Sequence, residues 1–409
     1  MFPDESNAKL NFPGKPDAGK ALARLDAAGR TAEASDLHWM QAAIDLSRDA
    51  LYVTAPNPRV ACLIVKQGQL LASGVTQAVG GPHAEVMALR QAGERGHDVA
   101  GSTVYVTLEP CSHYGRTPPC VDALIAARPA RVVVAMADPN PLVAGRGMAK
   151  LRAAGIDVTA SVCAEQALQI NPGFVARMTR KTPWVWLKQG ASLDGRTALN
   201  NGVSQWITGP EARADGHHWR ARSCVVLTGS GTVQADNPQL NVREVQTPRP
   251  PIKAVIDSRF AIDENARLFD GTKTWIFTCR PDAAKAERLA ARNVHVIQMP
   301  ELGNRVDLAA VMQWLGEHEI NEVHVEAGAG LNGALLQANC VDELLVYMAP
   351  VVLGDAVGMF GLPALESLDQ AMRFEFIDVA AMGADIRVRA RRAQRWQALL
   401  QAVHIKSNS

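Results

Sequence analysis

The chain has 409 residues, of which 47% are hydrophobic and 20% are charged, and its 42 basic and 41 acidic residues leave a formal net charge of +1. This length exceeds a single ordinary hydrophobic core, so at least two domains are expected. The nearly balanced charge, without a basic run, disfavours nucleic acid as a partner and favours small-molecule substrates.

Membrane and secreted proteins are also disfavoured by the residue patterns. No apolar run approaches the roughly 18 residues of a membrane span, so no membrane contact is expected. The N-terminal residues lack the apolar stretch of a secretory signal. The seven cysteines are too scattered for a disulfide framework. These patterns predict a cytoplasmic protein whose thiols are buried or bind metal.

The first half of the chain alternates between strand and helix patterns. Residues 1–35 are rich in Asp, Gly, Pro, Lys and Ala and are expected to form a disordered extension. Residues 36–180 are predicted to form a domain with a mixed sheet covered by helices. Its strands are predicted at 60–65, 70–74, 102–110, 130–138 and 156–160, with a hairpin turn at 66–69, and its helices at 38–50, from His83, from Pro119 and at 147–154.

The second half has its own set of buried strands, with helical segments between several of them. They are predicted at 184–192, 223–230, 252–258, 274–279, 294–299 and 322–328. A separate strand set places a domain boundary near residue 180. We therefore expect a second α/β domain over 181–395 and a C-terminal tail over 396–409.

One constellation in the first half has the composition of a catalytic zinc site. His83 opens a predicted helix, Cys111 follows a predicted strand, and Cys120 begins the next helix. Catalytic zinc usually keeps three protein ligands and activates a water molecule. Thiols at helix N-termini ionise more easily, which suits metal binding. Glu85 follows His83 by two positions and is predicted to carry the proton from that water to the leaving amine.

Two other interpretations of these residues remain open at this stage. Cys111 and Cys120 are compatible with an ordinary pair of buried thiols. A structural zinc is the second alternative, with His113 as a fourth ligand. The joint order of H-A-E, P-C and C favours a nucleobase deaminase, although such enzymes often space the two cysteines C-x-x-C and here the spacing is C-x₈-C.

The longer spacing resembles that of a particular family. The segment VTLEPCSHYGRTPPC (106–120) is similar to the signature of the bifunctional riboflavin-biosynthesis deaminase–reductases. Further similarity lies in PNPRVACLIV (56–65), LKQGASLDGRTA (187–198), SQWITG (204–209) and VEAGAGLNGALLQANCVDELLVYMAP (325–350). The resemblance covers about residues 36 to 390.

The resemblance implies a fold and two consecutive reactions. The folds are a cytidine-deaminase-like αβα sandwich and a dihydrofolate-reductase-like α/β domain. The first domain would use one zinc ion to deaminate 2,5-diamino-6-ribosylamino-4(3H)-pyrimidinone 5′-phosphate. The second would use NADPH to reduce the ribosyl group of the product to ribityl. A homo-oligomer acting on small molecules is expected.

The resemblance also assigns binding residues in each domain. In the deaminase domain, Asn57 and His113 match substrate positions, with Arg116 beside them. The NADPH positions are Gly190, Trp206, Thr232, Asp236, Ser258, Gly328, Ala329, Gly330, Leu331, Asn332, Gly333 and Ala334. The reductase substrate positions are Ser204, Arg220, Leu240, Arg243 and Glu326.

Plainer interpretations exist for several of these residues. Asn57 suits a turn between two prolines, and His113 suits a solvated loop. Trp206 more often serves core packing than cofactor binding. Arg220 and Arg243 could hold a phosphate by bidentate contacts or be ordinary surface charges.

Residues 328–333 also have a physical argument for phosphate binding. They follow a predicted strand and open a helix, so their N–H groups could bind a pyrophosphate. They fit the pattern G-x-G-x-x-G, but that motif normally occupies the first strand–helix turn of a dinucleotide-binding domain, and here it comes late. No side chain stands out from the sequence as a proton donor for the reduction.

The chain departs from the family pattern at three positions near the zinc motif. Thr76 replaces a usual histidine, Ala61 a usual glycine and Met87 a usual histidine, and none of these removes a zinc ligand. Thr76 bears most directly on deaminase substrate binding.

Two rival functions are considered: a free-base or tRNA deaminase with an unrelated reductase-like partner, and a zinc-binding scaffold in which only the reductase is active. The intact Glu85 argues against the scaffold.

Overall fold

The structure is a computed structural model that describes residues 35–114, 118–140 and 143–404. It contains two compact units. Within the described residues, one unit runs to Lys181 and also includes the chain from Gln397, and the other covers Thr182–Trp396. The predicted extension at 1–35 lies, apart from its last residue, outside the described residues.

The first unit is a five-stranded mixed sheet with helices. Its helices are α1 (Ser35–Ser47), α2 (Ala84–Glu94), α3 (Cys120–Ala127), α4 (Arg146–Ala153), α5 (Ala164–Ile170) and α6 (Pro172–Arg180), and its strands are β1 (Ala61–Lys66), β2 (Gln69–Val75), β3 (Thr103–Val106), β4 (Arg131–Val134) and β5 (Asp157–Ala160). The strand order is β2-β1-β3-β4-β5, antiparallel across β2, β1 and β3 and parallel from β3 to β5. The predicted mixed sheet is confirmed.

Local sequence explains how β1, β2 and α2 come together. Gln67 and Gly68 both have positive φ angles, 53° and 74°, as a two-residue hairpin turn requires. A Cβ atom at Gly74 would lie 2.2 Å from the carbonyl oxygen of Ala84, so the absence of a side chain lets α2 approach β2. This contact positions the start of α2, where His83 and Glu85 lie.

The second unit is built on a nine-stranded sheet in the order β11-β10-β9-β8-β14-β6-β15-β18-β17. Its helices are α7 (Pro210–Arg222), α8 (Ser230–Asp236), α9 (Ala283–Ala290), α10 (Leu308–Glu317) and α11 (Ala329–Gln337), and its strands are β6 (Trp184–Ser192), β7 (Arg196–Ala198), β8 (Val225–Gly229), β9 (Ile252–Ile256), β10 (Thr274–Thr278), β11 (Val294–Gln298), β12 (Glu301–Leu302), β13 (Arg305–Val306), β14 (Glu322–Glu326), β15 (Glu343–Ala349), β16 (Val357–Gly358), β17 (Glu375–Met382) and β18 (Asp385–Arg391). In this spatial order, each strand from β11 through β10, β9, β8, β14 and β6 to β15 is parallel to its neighbours. β18 and then β17 extend the sheet by antiparallel pairing. β7 with β16 and β12 with β13 form two separate ribbons.

The C-terminal residues differ from the predicted tail. A twelfth helix, α12, covers Ala393–Val403, so the prediction of a tail over 396–409 is wrong for its first eight residues. Trp396, Leu399 and Val403 are buried. Their spacing of three and four places them on one face of the helix, and that apolar face is what keeps the segment folded. Among the helices of the described ranges, none is long and apolar enough to cross a membrane.

Candidate active sites

Three elements of the first unit bring the predicted zinc ligands together. His83 is the residue before α2, Cys111 lies in the loop after β3, and Cys120 is the first residue of α3. His83 Nδ1 lies 3.3 Å from Cys120 Sγ and 3.7 Å from Cys111 Sγ. The Cys120 backbone N–H donates to Cys111 Sγ at 3.2 Å, as expected for a thiolate at a helix N-terminus.

These separations fit a zinc ion. With ordinary Zn–S and Zn–N bonds, the edge between sulfur and nitrogen in a tetrahedral site is about 3.6 Å. The two measured distances lie on either side of that value. Among the described residues, His83, Cys111 and Cys120 form the one group that could hold a metal, and His113 is outside it. The group therefore favours a catalytic zinc with three protein ligands over a four-ligand structural site.

The site also perturbs the ionisation of its own groups. A hydrogen bond from Cys120, together with one from His83, lowers the pKa of the Cys111 thiol to about 4, although burial opposes this. The hydrogen bond to Cys111 and burial raise the pKa of Cys120. Glu85 is buried, and this burial, followed by the charge of Cys111, raises its pKa to about 7. A carboxyl group of this kind exchanges a proton readily near neutral pH.

Glu109 is a supporting residue that sequence reasoning missed. Its buried carboxylate accepts four backbone N–H bonds, from Asp138, Gly145, Gly147 and Met148, at 2.9–3.3 Å. A Cβ atom on Gly147 would lie 2.1 Å from the carbonyl oxygen of Pro110, so only glycine permits this approach. Glu109 thus ties the start of α4 to the backbone just before Cys111. The signal in the sequence was an acidic residue directly before P-C.

Replacing Glu109 by glutamine is expected to weaken zinc binding. The amide NH₂ would face backbone N–H groups, so the loop that carries Cys111 would lose its anchor. Loss of such supporting interactions typically lowers metal affinity by about 10–100-fold. Competition of the purified variant with a zinc chelator measures this change. Asp122→Asn is the control: Asp122 lies on α3 in an exposed ion pair with Lys150 of α4, and its replacement should keep the zinc affinity of the wild-type protein. An unchanged zinc affinity in Glu109→Gln would contradict the anchoring role.

The remaining deaminase residues occupy the following places. The Asn57 backbone N–H donates to the Thr54 carbonyl oxygen at 2.9 Å across a cis Ala55–Pro56 bond, so the turn interpretation of Asn57 is confirmed. His113 is half-buried in the loop after Cys111. Thr76 is buried, and its backbone N–H donates to Val60. Arg116 lies outside the described residues.

In the second unit, several predicted cofactor residues lie at one edge of the sheet. β9, β8, β14 and β6 are neighbouring parallel strands, so their carboxyl ends meet at the same edge. Gly190 lies near the end of β6, and Ser258, Thr232 and Gly328 follow β9, β8 and β14. The Gly328 N–H donates to Thr232 Oγ1 at 3.1 Å. Ligands of open α/β sheets commonly bind at this edge.

The glycine-rich segment at the start of α11 divides into two parts. Gly328 and Gly330 are exposed at the helix N-terminus, where backbone N–H groups can meet a phosphate. Asn332 and Gly333 are buried, and Asn332 Nδ2 donates to the Ala327 carbonyl oxygen at 2.9 Å. A Cβ atom on Gly333 would lie 2.1 Å from the Gly361 carbonyl oxygen. Gly328 and Gly330, at the start of α11, are thus the residues of this segment most open to a ligand.

The other predicted reductase residues differ in their surroundings. Trp206 is 69% exposed and packs against the Arg213 guanidinium at 4.6 Å, so the core-packing interpretation is wrong. Ser258 Oγ already accepts the Val306 N–H at 3.0 Å. The predicted residues not yet described are half-buried Ser204, Leu331, Ala334 and Ala329, exposed Asp236 and Arg243, and buried Leu240.

Arg220 and Glu326 form a two-point ion pair in the middle of this unit. Arg220 Nη2 donates to Glu326 Oε2 at 2.8 Å, its Nε donates to the other oxygen, and its Nη1 donates to the Asn241 carbonyl oxygen at 2.8 Å. The charge of Arg220 holds the pKa of Glu326 well below its usual range despite burial. Arg220 is therefore no ordinary surface charge, and that interpretation is wrong.

Lys188 joins this cluster and was missed by sequence reasoning. It is paired in register with Glu326 across β6 and β14, and burial lowers its pKa while Glu326 opposes the shift. The sequence feature that could have identified Lys188 is a charged residue directly after the apolar run WVWL (184–187) of a predicted buried strand. Lys188 thus adds an ionisable group to the predicted substrate residues Arg220 and Glu326.

The fold and the zinc site together define a nucleobase-type zinc deaminase joined to an α/β reductase, and comparison with known proteins identifies both parts. Residues 33–136 match the cytidine and deoxycytidylate deaminase zinc-binding region, and residues 183–388 match the RibD C-terminal domain. The riboflavin biosynthesis protein RibD of Escherichia coli (strain K12) is 47% identical over 365 residues, covering 86% of this chain and 98% of that protein. The chain belongs to the RibD family of riboflavin biosynthesis proteins.

Solved structures of this family are similar to the chain over most of its length. A RibD structure from Acinetobacter baumannii has 43% identity and a TM-score of 0.79, covering 87% of this chain and 98% of its own. A deaminase/reductase structure from Thermotoga maritima has 31% identity and the same TM-score and coverage. The predicted combination of deaminase and reductase is confirmed, and an unrelated partner domain is excluded.

Proposed function

We propose that the first unit deaminates 2,5-diamino-6-ribosylamino-4(3H)-pyrimidinone 5′-phosphate and that the second reduces the ribosyl group of the product to ribityl with NADPH. The observation that carries this proposal is the zinc-binding group with Glu85 buried beside it, in one chain with the reductase fold. The Thermotoga maritima relative is named a diaminohydroxyphosphoribosylaminopyrimidine deaminase and 5-amino-6-(5-phosphoribosylamino)uracil reductase.

In the deaminase unit, His83, Cys111 and Cys120 would hold the zinc ion, which would act as a Lewis acid and activate water. Glu85 would accept one proton from the attacking water at its carboxylate and deliver it to the ring nitrogen. It would then take the second proton of the same oxygen and deliver it to the departing amine, which leaves as ammonia. Its burial keeps bulk water from competing for that proton. Glu109 keeps the Cys111 loop in place.

In the reductase unit, NADPH supplies a hydride. The first turn of α11 offers N–H groups to its pyrophosphate, and Thr232 fixes the start of that turn. We expect the exposed Arg243 to receive the substrate's phosphate by bidentate contacts, with Arg220 holding the neighbouring Asn241 backbone in place. Lys188, whose pKa is lowered by burial, lies beside Glu326 and is the group available to donate a proton during reduction. The ionised Glu326 carboxylate holds Arg220 beside it.

Incubation of the purified protein with the diaminopyrimidine phosphate tests both activities. Without NADPH, mass spectrometry should find the exchange of an amino for a hydroxyl group, with release of ammonia. With NADPH, the product should also gain two hydrogen atoms. If NADPH is consumed only when the aminouracil phosphate is supplied, and the diaminopyrimidine is left intact, the chain is a zinc-binding scaffold with an active reductase.

Glu326→Gln is expected to reduce aminouracil phosphate turnover by about 100-fold or more, because the neutral amide leaves Arg220 and Lys188 without their counter-charge. Deamination should stay at the wild-type rate, since the substitution lies outside the deaminase unit. The two rates are measured on one preparation. Glu264→Gln, at an exposed ion pair with Arg288 in the same unit, is the control. Full reductase activity in Glu326→Gln would contradict the assigned role.

Two finer features belong to the same proposal. We expect a homo-oligomer, because β17 is a sheet-edge strand with Phe376 77% and Val379 61% exposed, and Leu368 nearby is 84% exposed. Sedimentation of the purified protein tests this. We expect the enzyme to act in the cytoplasm, where a reducing environment keeps its two thiol ligands available. All seven cysteines are free thiols in the structure.

A further inference from the structure

Two side chains of α7 hold the same loop segment, residues 240–243. His217 and Arg220 are three positions apart and therefore share a face of the helix. Arg220 Nη1 donates to the Asn241 carbonyl oxygen at 2.8 Å. The backbone N–H of Arg243 donates to His217 Nδ1 at 3.2 Å. The two contacts fix the segment by one carbonyl and one amide, two residues apart.

The bond to Arg243 defines the state of the His217 ring. An imidazole nitrogen accepts a hydrogen bond only when it carries no proton, so the ring is neutral with its proton on Nε2. Burial, then the positive charges of Arg220 and Arg243, lower the pKa of His217 to about 4, with Lys188 acting in the same direction and Glu326 against it. The ring therefore stays an acceptor throughout the neutral pH range.

The segment needs such an anchor because its backbone is not relaxed. Leu240 has a φ angle of 52°, a left-handed conformation that costs a non-glycine residue free energy. The Arg243 side chain lies exposed, with Nη1 donating to Asn241 Oδ1 at 2.8 Å within the same segment. External contacts thus hold a strained loop whose arginine points to solvent.

We propose that His217 is a positioning residue of the reductase site, which keeps segment 240–243 in the conformation that receives the phosphate of the aminouracil substrate. This inference rests on the proposed function, which places Leu240 and Arg243 against that substrate. A segment ordered before binding loses less conformational entropy when the ligand arrives. The contribution of His217 should therefore be found in substrate affinity and less in the rate of the chemical step.

Three variants test the role of the ring. His217→Leu removes the acceptor and keeps an apolar side chain in the buried position. His217→Asn places an amide oxygen close to where Nδ1 lies, so it restores the acceptor without the ring. His295→Leu, on exposed β11 in the same unit, is the control for loss of a histidine. Each variant is assayed for KM and kcat with the aminouracil phosphate, for KM with NADPH, and for amide hydrogen exchange in segment 240–243.

The expected result has four parts. His217→Leu should raise KM for the aminouracil phosphate about 5–10-fold, the effect of losing one hydrogen bond. The kcat and the KM for NADPH should change much less. Exchange in segment 240–243 should become faster. His217→Asn should restore both KM and exchange to near the wild-type values, and His295→Leu should match the wild-type protein throughout.

Several outcomes would overturn the inference. Unchanged exchange in His217→Leu would show that the ring does not hold the segment. Faster exchange with an unchanged KM would show that the held segment does not serve the substrate. A failure of His217→Asn to restore a raised KM would show that the ring acts by packing. Failure of the proposed function itself is distinct, because the wild-type protein would then show no turnover of the aminouracil phosphate.

Discussion

Glu85→Gln is expected to lower deamination by about 10²–10⁴-fold, the usual contribution of a positioned proton carrier, while zinc stays bound. The glutamine has nearly the same volume, so it fits the buried position of Glu85 without disturbing α2. It cannot, however, accept a proton from water or pass one to the departing amine. Ammonia release from the diaminopyrimidine phosphate measures the loss, and zinc content is measured on the same sample.

The control for this variant is the chain's own second activity. Glu85→Gln should reduce the aminouracil phosphate at the wild-type rate, since Glu85 belongs to the deaminase unit. Glu94→Gln, at the exposed end of the same helix, should leave both rates unchanged. Persistent ammonia release in Glu85→Gln, with zinc present, would remove Glu85 from the mechanism. Loss of zinc together with activity would instead make its role structural.

The zinc site could be predicted from the sequence because its ligands sit where chain geometry is simple. His83 and Cys120 each lie at the start of a helix, and Cys111 comes directly after a strand. Such positions are set by local hydrophobic patterns and by the order of elements. Glu109 could not be predicted in the same way, because its four partners lie 29 to 39 residues further along the chain.

The reductase sheet shows where hydrophobic pattern misleads. Six strands of this sheet were predicted from apolar runs, but β15, β17 and β18 were not. In β18 the pattern is inverted, since Arg387 is fully buried and Ile386 is 39% exposed. A rule that places apolar residues inward would turn this strand the wrong way. Only the partners of the arginines, which come from distant parts of the chain, explain its orientation.

Those partners form a buried charged network beneath α7. Arg387 Nη1 donates to both oxygens of Asp215, at 3.0 and 3.2 Å, and its Nη2 donates to Asp378 at 2.6 Å. The Tyr347 hydroxyl and Trp219 Nε1 donate to the same Asp215 carboxylate. The network joins β15, β17 and β18 to the helix that carries His217 and Arg220. The network therefore holds α7, and with it His217 and Arg220, in a fixed position against the sheet.

Arg387→Met is expected to lower the free energy of unfolding by about 3–5 kcal/mol, because it leaves the buried carboxylate of Asp215 and the partly buried one of Asp378 without their cation. For a unit of this size such a loss corresponds to a fall in Tm of roughly 10 °C. Thermal unfolding of the wild-type protein and the variant measures the difference. Methionine fills a similar volume, so an empty cavity contributes little to the change.

Two further variants separate charge from packing in that measurement. Arg387→Lys keeps the positive charge but has one donor group in place of the planar guanidinium, so it cannot serve Asp215 and Asp378 equally well. Its Tm should fall between those of the wild-type protein and Arg387→Met. Arg373→Met removes an exposed arginine from the same region and should leave Tm unchanged. If Arg387→Met has the same Tm as the wild-type protein, the network does not stabilise the sheet. The orientation of β18 must then depend on its apolar residues.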